Sequence, residues 1–207
     1  MTTDMDRKVH WDAIYTTKSP DEVSWFQASP ELSLTLIAAT GVGKDVRIID
    51  VGGGASVLVD RLLDAGFSRL TVLDISAAAL RRARERLGKR AGQVTWLEAD
   101  ITAGTLAGTF DVWHDRAVFH FLTDPEDRKQ YLDAVDRAVP AGGHIIIAAF
   151  DPEGPPRCSG LEVQRYSPEA LQQELGGRFE LVETRQEIHT TPSKAQQAFL
   201  YCRFRKR

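Results

Sequence analysis

From about residue 46 onward, the chain alternates between short apolar runs and longer amphipathic segments. The apolar runs are continuous, which is typical of strands buried on both faces, and they lie at 46–51, 70–74, 94–100, 110–115 and 144–150. The amphipathic segments have helical spacing, and they lie at 56–67, 76–90 and 124–139. This alternation predicts a mostly parallel sheet with helices packed on it.

The pattern changes after the fifth strand. A helix predicted at 167–175 begins with a capping serine and a proline, and two further strands follow at 179–191 and 196–206. The turn between these strands is short and contains Pro192 and Ser193, so the strands should pair as an antiparallel hairpin. The sequence therefore predicts an α/β domain with five parallel-type strands and an antiparallel end.

The first 40 residues lie outside this alternation. They contain Trp11, Tyr15, Trp25 and Phe26, followed by a helix that opens near residue 30. Trp11 and Tyr15 are four residues apart, so one face of a short helix would present both rings. We interpret residues 1–40 as a helical lid over a site in the domain formed by residues 41–207. A plain packing role is the alternative for the same aromatic side chains.

Composition narrows the possible functions. The 207 residues are 43% hydrophobic and 27% charged, which is enough apolar material for one globular core. A net charge of -3 creates no field that would attract nucleic acid. The amino terminus is charged and no apolar run approaches ~20 residues, so we expect neither a signal peptide nor a membrane span. Two cysteines suggest no disulfide framework, and His114 and His120 lack metal-ligand spacing. We therefore expect a cytoplasmic protein without a metal site.

A glycine-rich loop follows the first strand, in the sequence RIIDVGGGAS from Arg47 to Ser56. A Walker-type phosphate loop needs Gly-Lys-Ser/Thr after the glycines, and this loop has no lysine there. A dinucleotide loop reads G-x-G-x-x-G. Gly52 and Gly54 fit that pattern, but Val57 stands at its third position. The loop therefore allows a ligand to approach the backbone closely without the features that grip a phosphate.

Together with acids that close successive strands, this loop resembles the class I S-adenosylmethionine (SAM)-dependent methyltransferases. Asp74, Asp100 and Asp115 close the second, third and fourth strands, and the late hairpin also matches the family. The resemblance covers about residues 45–207. It implies a doubly wound, seven-stranded, mostly parallel sheet with a C-terminal antiparallel hairpin, and SAM bound at the strand ends.

The same resemblance implies a set of cofactor contacts. In the family, the acid at the position of Asp74 takes the ribose hydroxyls, and the acid at the position of Asp100 lies near the adenine amino group. Helix capping is the alternative role for both acids. The contacts implied for SAM come from Trp11, Tyr15, Trp25, Asp50, Gly52, Gly53, Gly54, Asp74, Ile75, Asp100, Ile101 and Asp115.

The acceptor site should lie beside DVWHDRAVFHFL, residues 111–122. Asp115-Arg116 followed by a helical-looking apolar segment is similar to the thiopurine S-methyltransferase branch, which implies a small-molecule acceptor, a thiol or a similar nucleophile being favoured. Asp115, Arg116 and His120 are the catalytic candidates, with His120 or Asp115 as base or electrostatic support. A buried, hydrogen-bonded imidazole is the alternative for His120. Cys158 should lie on the rim where acceptors enter, as a free thiol or a substrate contact.

Two other functions stay open. The Trp-Asp-x-x-Tyr sequence that starts at Trp11 also resembles certain protein lysine methyltransferases. In those proteins acid-lysine-glycine usually follows the fourth strand, whereas this chain has Asp115-Arg116-Ala117, which favours a small acceptor over a protein substrate. The third possibility is a protein that binds SAM without catalysing transfer.

Overall fold

The structure is a computed structural model that describes residues 4–19, 22–104 and 106–207. Residues 1–3, 20 and 21 of the predicted lid lie outside the described residues. The strands in the described part are β1 (Arg47–Val51), β2 (Arg69–Asp74), β3 (Val94–Glu98), β4 (Val112–Arg116), β5 (His144–Phe150), β6 (Arg157–Cys158), β7 (Leu161–Glu162), β8 (Phe179–Thr190) and β9 (Gln196–Lys206). Seven of them form one sheet in the order β3-β2-β1-β4-β5-β9-β8, and β6 pairs with β7 separately.

Helices accompany the sheet between its strands. The α-helices in the described ranges are α1 (Asp4–Thr17), α2 (Glu31–Ala38), α3 (Leu58–Asp64), α4 (Ala77–Leu87), α5 (Pro125–Ala138) and α6 (Pro168–Leu175). Short 3-10 turns at Gly88–Gln93, Ile101–Ala103 and Phe119–Phe121 complete the regular structure there. None of the helices in these described ranges is long and apolar enough to cross a membrane.

The sheet has the topology that the sequence predicts. β1 to β5 are mutually parallel, and β9 runs antiparallel to both β5 and β8. The reversed strand is therefore second from one edge, and the predicted doubly wound, seven-stranded sheet with a C-terminal hairpin is confirmed. Ile48 and Ile49 are 1% and 0% exposed and pack into different apolar clusters, as a strand buried on both faces requires.

Side-chain caps fix where several helices begin. The Ser76 hydroxyl accepts the amide of Ala79 at the start of α4, and the Asp124 carboxylate accepts the amide of Glu126 at the start of α5. Ser167 caps α6 in the same way. These starts were readable from sequence because the cap and the amide it serves are only two or three residues apart.

The chain departs from the sequence prediction after β4 and after β5. Ala117 has a φ of +69°, and only a 3-10 turn follows at Phe119–Phe121, so no helix begins near Arg116. After β5, an unpredicted hairpin joins β6 to β7. Ser159 and Gly160 at its tip both have positive φ, +51° and +81°, as a two-residue type I′ hairpin turn requires.

The chain reverses its direction of winding at the carboxyl ends of β1 and β4. It passes from β1 to β2 and β3 on one side, then crosses to β4 and β5 on the other. Neighbouring connections therefore leave a crevice between β1 and β4, which is where open α/β sheets bind ligands.

Candidate functional site: a covered cavity at the strand ends

The glycine loop after β1 lies flat against its neighbours. Gly52 and Gly54 have φ values of +67° and +39°. A Cβ added at Gly52 would lie 2.0 Å from Cγ2 of Val118, and one at Gly54 would lie 2.6 Å from Oδ2 of Asp74. A larger residue would collide with Val118 at the first position and with Asp74 at the second, so glycine lets the loop pack closely against the ends of β2 and β4.

A cavity of about 510 Å³ lies at this edge of the sheet, within the usual size range of small-molecule sites. It contains most of the side chains that the resemblance assigns to SAM. The sequence-predicted residues that line it are Trp11, Tyr15, Trp25, Gly52, Asp74, Ile75, Asp100, Ile101 and Arg116. The fold therefore brings together, in one cavity, sequence-predicted residues from α1, from the segment before α2 and from the ends of four strands.

Asp74 closes β2 and faces the cavity with its carboxyl group 6% exposed. Burial raises its pKa to about 7, while the amide of Ser76, 2.8 Å from Oδ1, favours the charged form and opposes part of this rise. A buried carboxylate gains most from donors that a ligand brings. Two adjacent hydroxyls, as on a ribose, match its two oxygens.

Asp100 combines the two roles that the sequence left open. Its Oδ1 accepts the amide and the hydroxyl of Thr102, at 2.8 Å and 2.6 Å, and so caps the 3-10 turn Ile101–Ala103. Its Oδ2 is buried without a hydrogen bond from any described residue, with the Arg7 guanidinium 3.5 Å away. One oxygen therefore remains for a donor such as an exocyclic amine.

Helix α1 covers the cavity with aromatic side chains. The Trp11 ring lies 5.7 Å from Trp25 and 5.0 Å from Phe121, centroid to centroid, and Tyr15 lies 6.0 Å from Trp25, all edge to face. Such pairs contribute about 0.5–1.5 kcal/mol each beyond the area they bury. We call these four residues the aromatic cover. Tyr15 is 6% exposed, and its burial raises the pKa of its phenol.

Polar contacts fasten the same helix to the strand ends. Lys8 donates to Glu98 at 2.7 Å, and the Ser76 hydroxyl donates to Asp12 at 2.7 Å. Arg7 pairs with Asp127 at the start of α5. The sequence analysis missed these residues, although Lys8 and Asp12 stand at i and i+4 and pair at 3.0 Å. Together they hold α1 across the ends of β2 and β3.

The catalytic roles of Asp115 and His120 stay predictions, and neither side chain lines the main cavity. Asp115 is fully buried and accepts the Tyr131 hydroxyl at 2.7 Å and the amides of Val118 and Phe119. Burial raises its pKa to about 6. It shapes the loop behind the wall, where a base for an acceptor has no access.

His120 is buried between aromatic rings and is a poor base there. Its ring centroid lies 4.4 Å from that of Phe121 and 4.8 Å from that of Phe150. Both ring nitrogens lack a hydrogen-bond partner among the described residues, and burial lowers the pKa of the imidazole to about 3. The histidine that does line the cavity is His10, whose Nε2 is buried and also without a hydrogen bond within the described ranges.

Arg116 lines the cavity but is largely held by the protein. Its Nε donates to the Tyr201 hydroxyl at 2.8 Å, its Nη1 donates to the Trp25 carbonyl at 3.0 Å, and the guanidinium lies 4.5 Å from the Phe199 ring centroid. These contacts tie the aromatic cover to β9. Cys158, in β6, also lines the cavity and is 5% exposed. It therefore lies in the cavity wall and not on the rim, where the sequence analysis predicted it.

Asp50, Gly53 and Phe26 belong to a second, smaller cavity of about 60 Å³ on the other side of the glycine loop. In it the Asp50 carboxylate lies 2.7 Å from Nδ1 of His114, so the acid closing β1 does not face the larger space. Phe26 is therefore not part of the roof over the main cavity, which Trp25 helps to form. Gly54 does not line the main cavity. Its lack of a Cβ lets Asp74 and Tyr15, which do line the cavity, approach the loop closely.

Comparisons with known proteins agree with this geometry. A family model described as a methyltransferase domain matches residues 49–145. The mouse eEF1A lysine and N-terminal methyltransferase is 24% identical over 139 residues, which cover 66% of this chain and 19% of that protein. The chain thus spans about a fifth of the length of the first curated relatives that it matches.

Two solved structures show the same fold. One, described for the conversion of a disulfide bond into a thioacetal group during echinomycin biosynthesis, has a TM-score of 0.78 at 18% identity and covers 96% of this chain and 91% of that chain. The other is N-methyltransferase NodS from Bradyrhizobium japonicum in complex with S-adenosyl-L-homocysteine (SAH), with a TM-score of 0.66, 22% identity and coverage of 87% and 89%.

The matches do not single out the thiopurine S-methyltransferase branch. The glycine loop lines the cavity at Gly52 without phosphate-binding side chains, and buried carboxylate oxygens of Asp74 and Asp100 at the strand ends offer acceptors to a nucleoside. With the methyltransferase-domain model that matches residues 49–145 and the shared fold, these features make the chain similar to the class I SAM-dependent methyltransferases.

Proposed function

We propose that the chain is a SAM-dependent methyltransferase and that its methyl acceptor is a small molecule, a thiol or a similar nucleophile being favoured. The observation that carries this proposal is the covered cavity: α1 and the aromatic cover close it on one side, and Leu161 and Glu162 of β7 bound it on another. A partly covered cavity of this kind suits an acceptor that enters whole. A side chain on a folded protein needs a wide opening instead.

The residues divide the cavity into two ends. Asp74, Ile75, Asp100 and Ile101 favour the adenosine end near β2 and β3, which leaves Phe121 and the β6–β7 hairpin for the acceptor. SAM, when bound, supplies a methyl group activated for direct displacement by a nucleophile. The chain's own contribution is to align the two ligands and to exclude water, since aromatic rings surround the space between them.

The titratable side chains that line the cavity suit a nucleophile that loses its proton easily. Asp115 and His120 do not line the cavity. A thiol has a pKa of about 8.5 and is partly ionised near neutral pH, whereas a lysine amine at about 10.4 is almost wholly protonated. We assign the acceptor's proton to His10, whose free Nε2 faces the cavity wall. Of the two acceptors, a thiol is the one whose proton such a site can remove more easily.

A protein lysine substrate is the second candidate. The name of the eEF1A lysine and N-terminal methyltransferase favours it, as does Glu162, an exposed acid beside the cavity that would attract an ammonium group. Opening of α1 would have to precede docking of such a substrate, because the helix lies over the cavity. We therefore rank this candidate below a small acceptor.

An acceptor screen with labelled SAM separates the two. A panel of small thiols, amines and phenols is compared with lysine-containing peptides, and label transfer to small thiols is expected. Transfer to peptides alone would contradict the proposal.

Two glycine variants serve as a matched pair in this screen. Gly52→Ala should abolish transfer because its Cβ collides with Val118. Gly66→Ala has similar backbone strain, with a φ of +87°, but meets no atom within 4 Å, so it should keep the activity.

A further inference from the structure

Trp25 belongs to a part of the aromatic cover that secondary structure does not fix. It lies between the end of α1 at Thr17 and the start of α2 at Glu31, in neither a helix nor a strand. Its ring nevertheless meets Trp11 and Tyr15 over the main cavity. Contacts from other parts of the fold must hold it there, because a connecting segment without such contacts is mobile.

Side chains of β8 supply contacts to the segment around Trp25. Glu187 accepts the side-chain amide of Gln27 with both carboxylate oxygens, at 3.1 Å and 3.2 Å. Nε2 of His189 lies 2.8 Å from the Ser24 carbonyl, and because a carbonyl only accepts, the imidazole donates. Alternate residues of a strand point to the same face of a sheet, so Glu187 and His189 reach the segment side by side.

Glu187 also holds the arginine that binds the backbone of Trp25. The Tyr201 hydroxyl donates to Glu187 at 3.0 Å and accepts Nε of Arg116 at 2.8 Å. Nη2 of Arg116 lies 3.7 Å from Glu187, and Nη1 donates to the Trp25 carbonyl at 3.0 Å. In the hairpin register Glu187 pairs with Phe199, which makes Tyr201 its diagonal neighbour on the same face. One carboxylate therefore holds the segment both directly and through Arg116.

These contacts are sheltered from water. The side chains of Arg116 and Glu187 are 10% and 22% exposed, and Tyr201 is fully buried. Hydrogen bonds to a charged group are stronger than neutral ones in such surroundings. Glu187 lines neither the main cavity nor the smaller one, so its influence on a bound ligand must pass through the residues that it holds.

We propose that Glu187 is a positioning residue for methyl transfer, which holds Trp25 over the cavity and so retains the cofactor and excludes water. The inference rests on the proposed function in taking the covered cavity as the site of transfer. Removal of the carboxylate frees the segment around Trp25. SAH should then leave faster, because its exit no longer waits for the cover to open.

Stopped-flow measurement of SAH dissociation tests this role without any acceptor. Glu187→Ala should release SAH about tenfold faster than the wild-type protein. Glu183→Ala is the matched control, because Glu183 lies on the same face of β8 but pairs with Arg203 at 2.9 Å. It should lower the Tm as Glu187→Ala does and leave the SAH rate within about twofold of the wild-type rate.

An exchange of side chains tests the contact with Gln27 itself. Gln27→Glu sets two carboxylates against each other and should also release SAH faster. Adding Glu187→Gln to this variant restores one amide facing one carboxylate, and the double variant should recover most of the wild-type rate.

Each outcome bears on a stated claim. An unchanged rate in Glu187→Ala, an equal change in Glu183→Ala, or no recovery in the double variant would overturn the positioning role. Failure of the wild-type protein to bind SAH would overturn the placement of the cofactor in this cavity and the positioning role with it. SAH binding without transfer to any small acceptor would overturn the choice of acceptor alone. If Glu187→Ala does not fold, Gln27→Glu and the double variant carry the same comparison.

Discussion

Cofactor affinity should depend on pH through Asp74. Burial raises the pKa of this carboxyl group to about 7 in the cofactor-free protein, and hydroxyl donors on a ribose favour its charged form. Below pH 7, binding must therefore first remove a proton. At pH 5.5 the carboxylate is present in about 3% of molecules, so SAH should bind roughly 30-fold more weakly than at pH 8, a difference of about 2 kcal/mol.

The same group changes the free energy of unfolding in the opposite sense. An aspartate in the unfolded chain titrates near pH 4, so between about pH 4 and 7 the folded protein holds a proton that the unfolded chain has lost. The free energy of unfolding of the cofactor-free protein should fall as pH rises through this window. Bound SAH should restore it above pH 7, because the ribose stabilises the charged carboxylate.

Calorimetric titration of SAH between pH 5.5 and 8, in buffers with different ionisation enthalpies, measures both the affinity and the proton released. Asp74→Asn should bind weakly and without this pH dependence. Asp111→Asn is the matched control: Asp111 pairs with Arg47 at the start of β1, away from the cavity, and should leave the profile unchanged. A flat wild-type profile, or the same slope in Asp74→Asn, would refute the reasoning.

Three further outcomes are expected. His120→Leu should keep turnover and raise the free energy of unfolding by about 1–3 kcal/mol in thermal melts, since it removes a buried polar ring without partners; lost turnover with intact SAH binding would restore its role as a base. Deleting residues 1–28 should leave a folded domain with kcat lowered about 100-fold, whereas a sharply lower Tm with an active folded fraction would indicate a packing role. Iodoacetamide should label Cys158, which lines the cavity, and spare Cys202, which is 0% exposed in β9. Burial raises the pKa of both thiols, to about 12 for Cys202, so the labelling needs alkaline pH. Labelling of both cysteines at equal rates would show that Cys158 does not face the cavity.

The sequence predicted the sheet well, and it located acids at the strand ends, because both depend on local patterns. Buried strands show as continuous apolar runs, and Asp74 and Asp100 are recognisable as the acids that end two of them. The parallel strands followed from the alternation and the antiparallel end from the predicted hairpin, whereas the doubly wound sheet was implied by the resemblance. Each of these signals lies within about ten residues of chain.

The features that sequence reasoning missed depend on contacts between distant segments. Asp50 and His114 face each other because β1 pairs with β4 in that register, and Ser33 joins them from α2. A helix starting near Arg116 would place His120 on the same face as Arg116, but the positive φ of Ala117 is followed only by a 3-10 turn, in which His120 packs against Phe121 and Phe150. Nothing local in the sequence marks either arrangement.

Because exposed ion pairs hold α1 over the cavity, we expect the rate of product release to depend on ionic strength. The Lys8–Glu98 pair is half exposed, and the Arg7–Asp127 pair keeps partial contact with solvent. Pairs of this kind contribute about 0–1 kcal/mol each, and salt weakens them further. Departure of SAH should therefore quicken a few-fold between dilute buffer and ~1 M salt, as followed by stopped-flow fluorescence of Trp11 and Trp25. An enzyme built in this way keeps its methyl-transfer step insulated from the medium while its turnover responds to the salt around it.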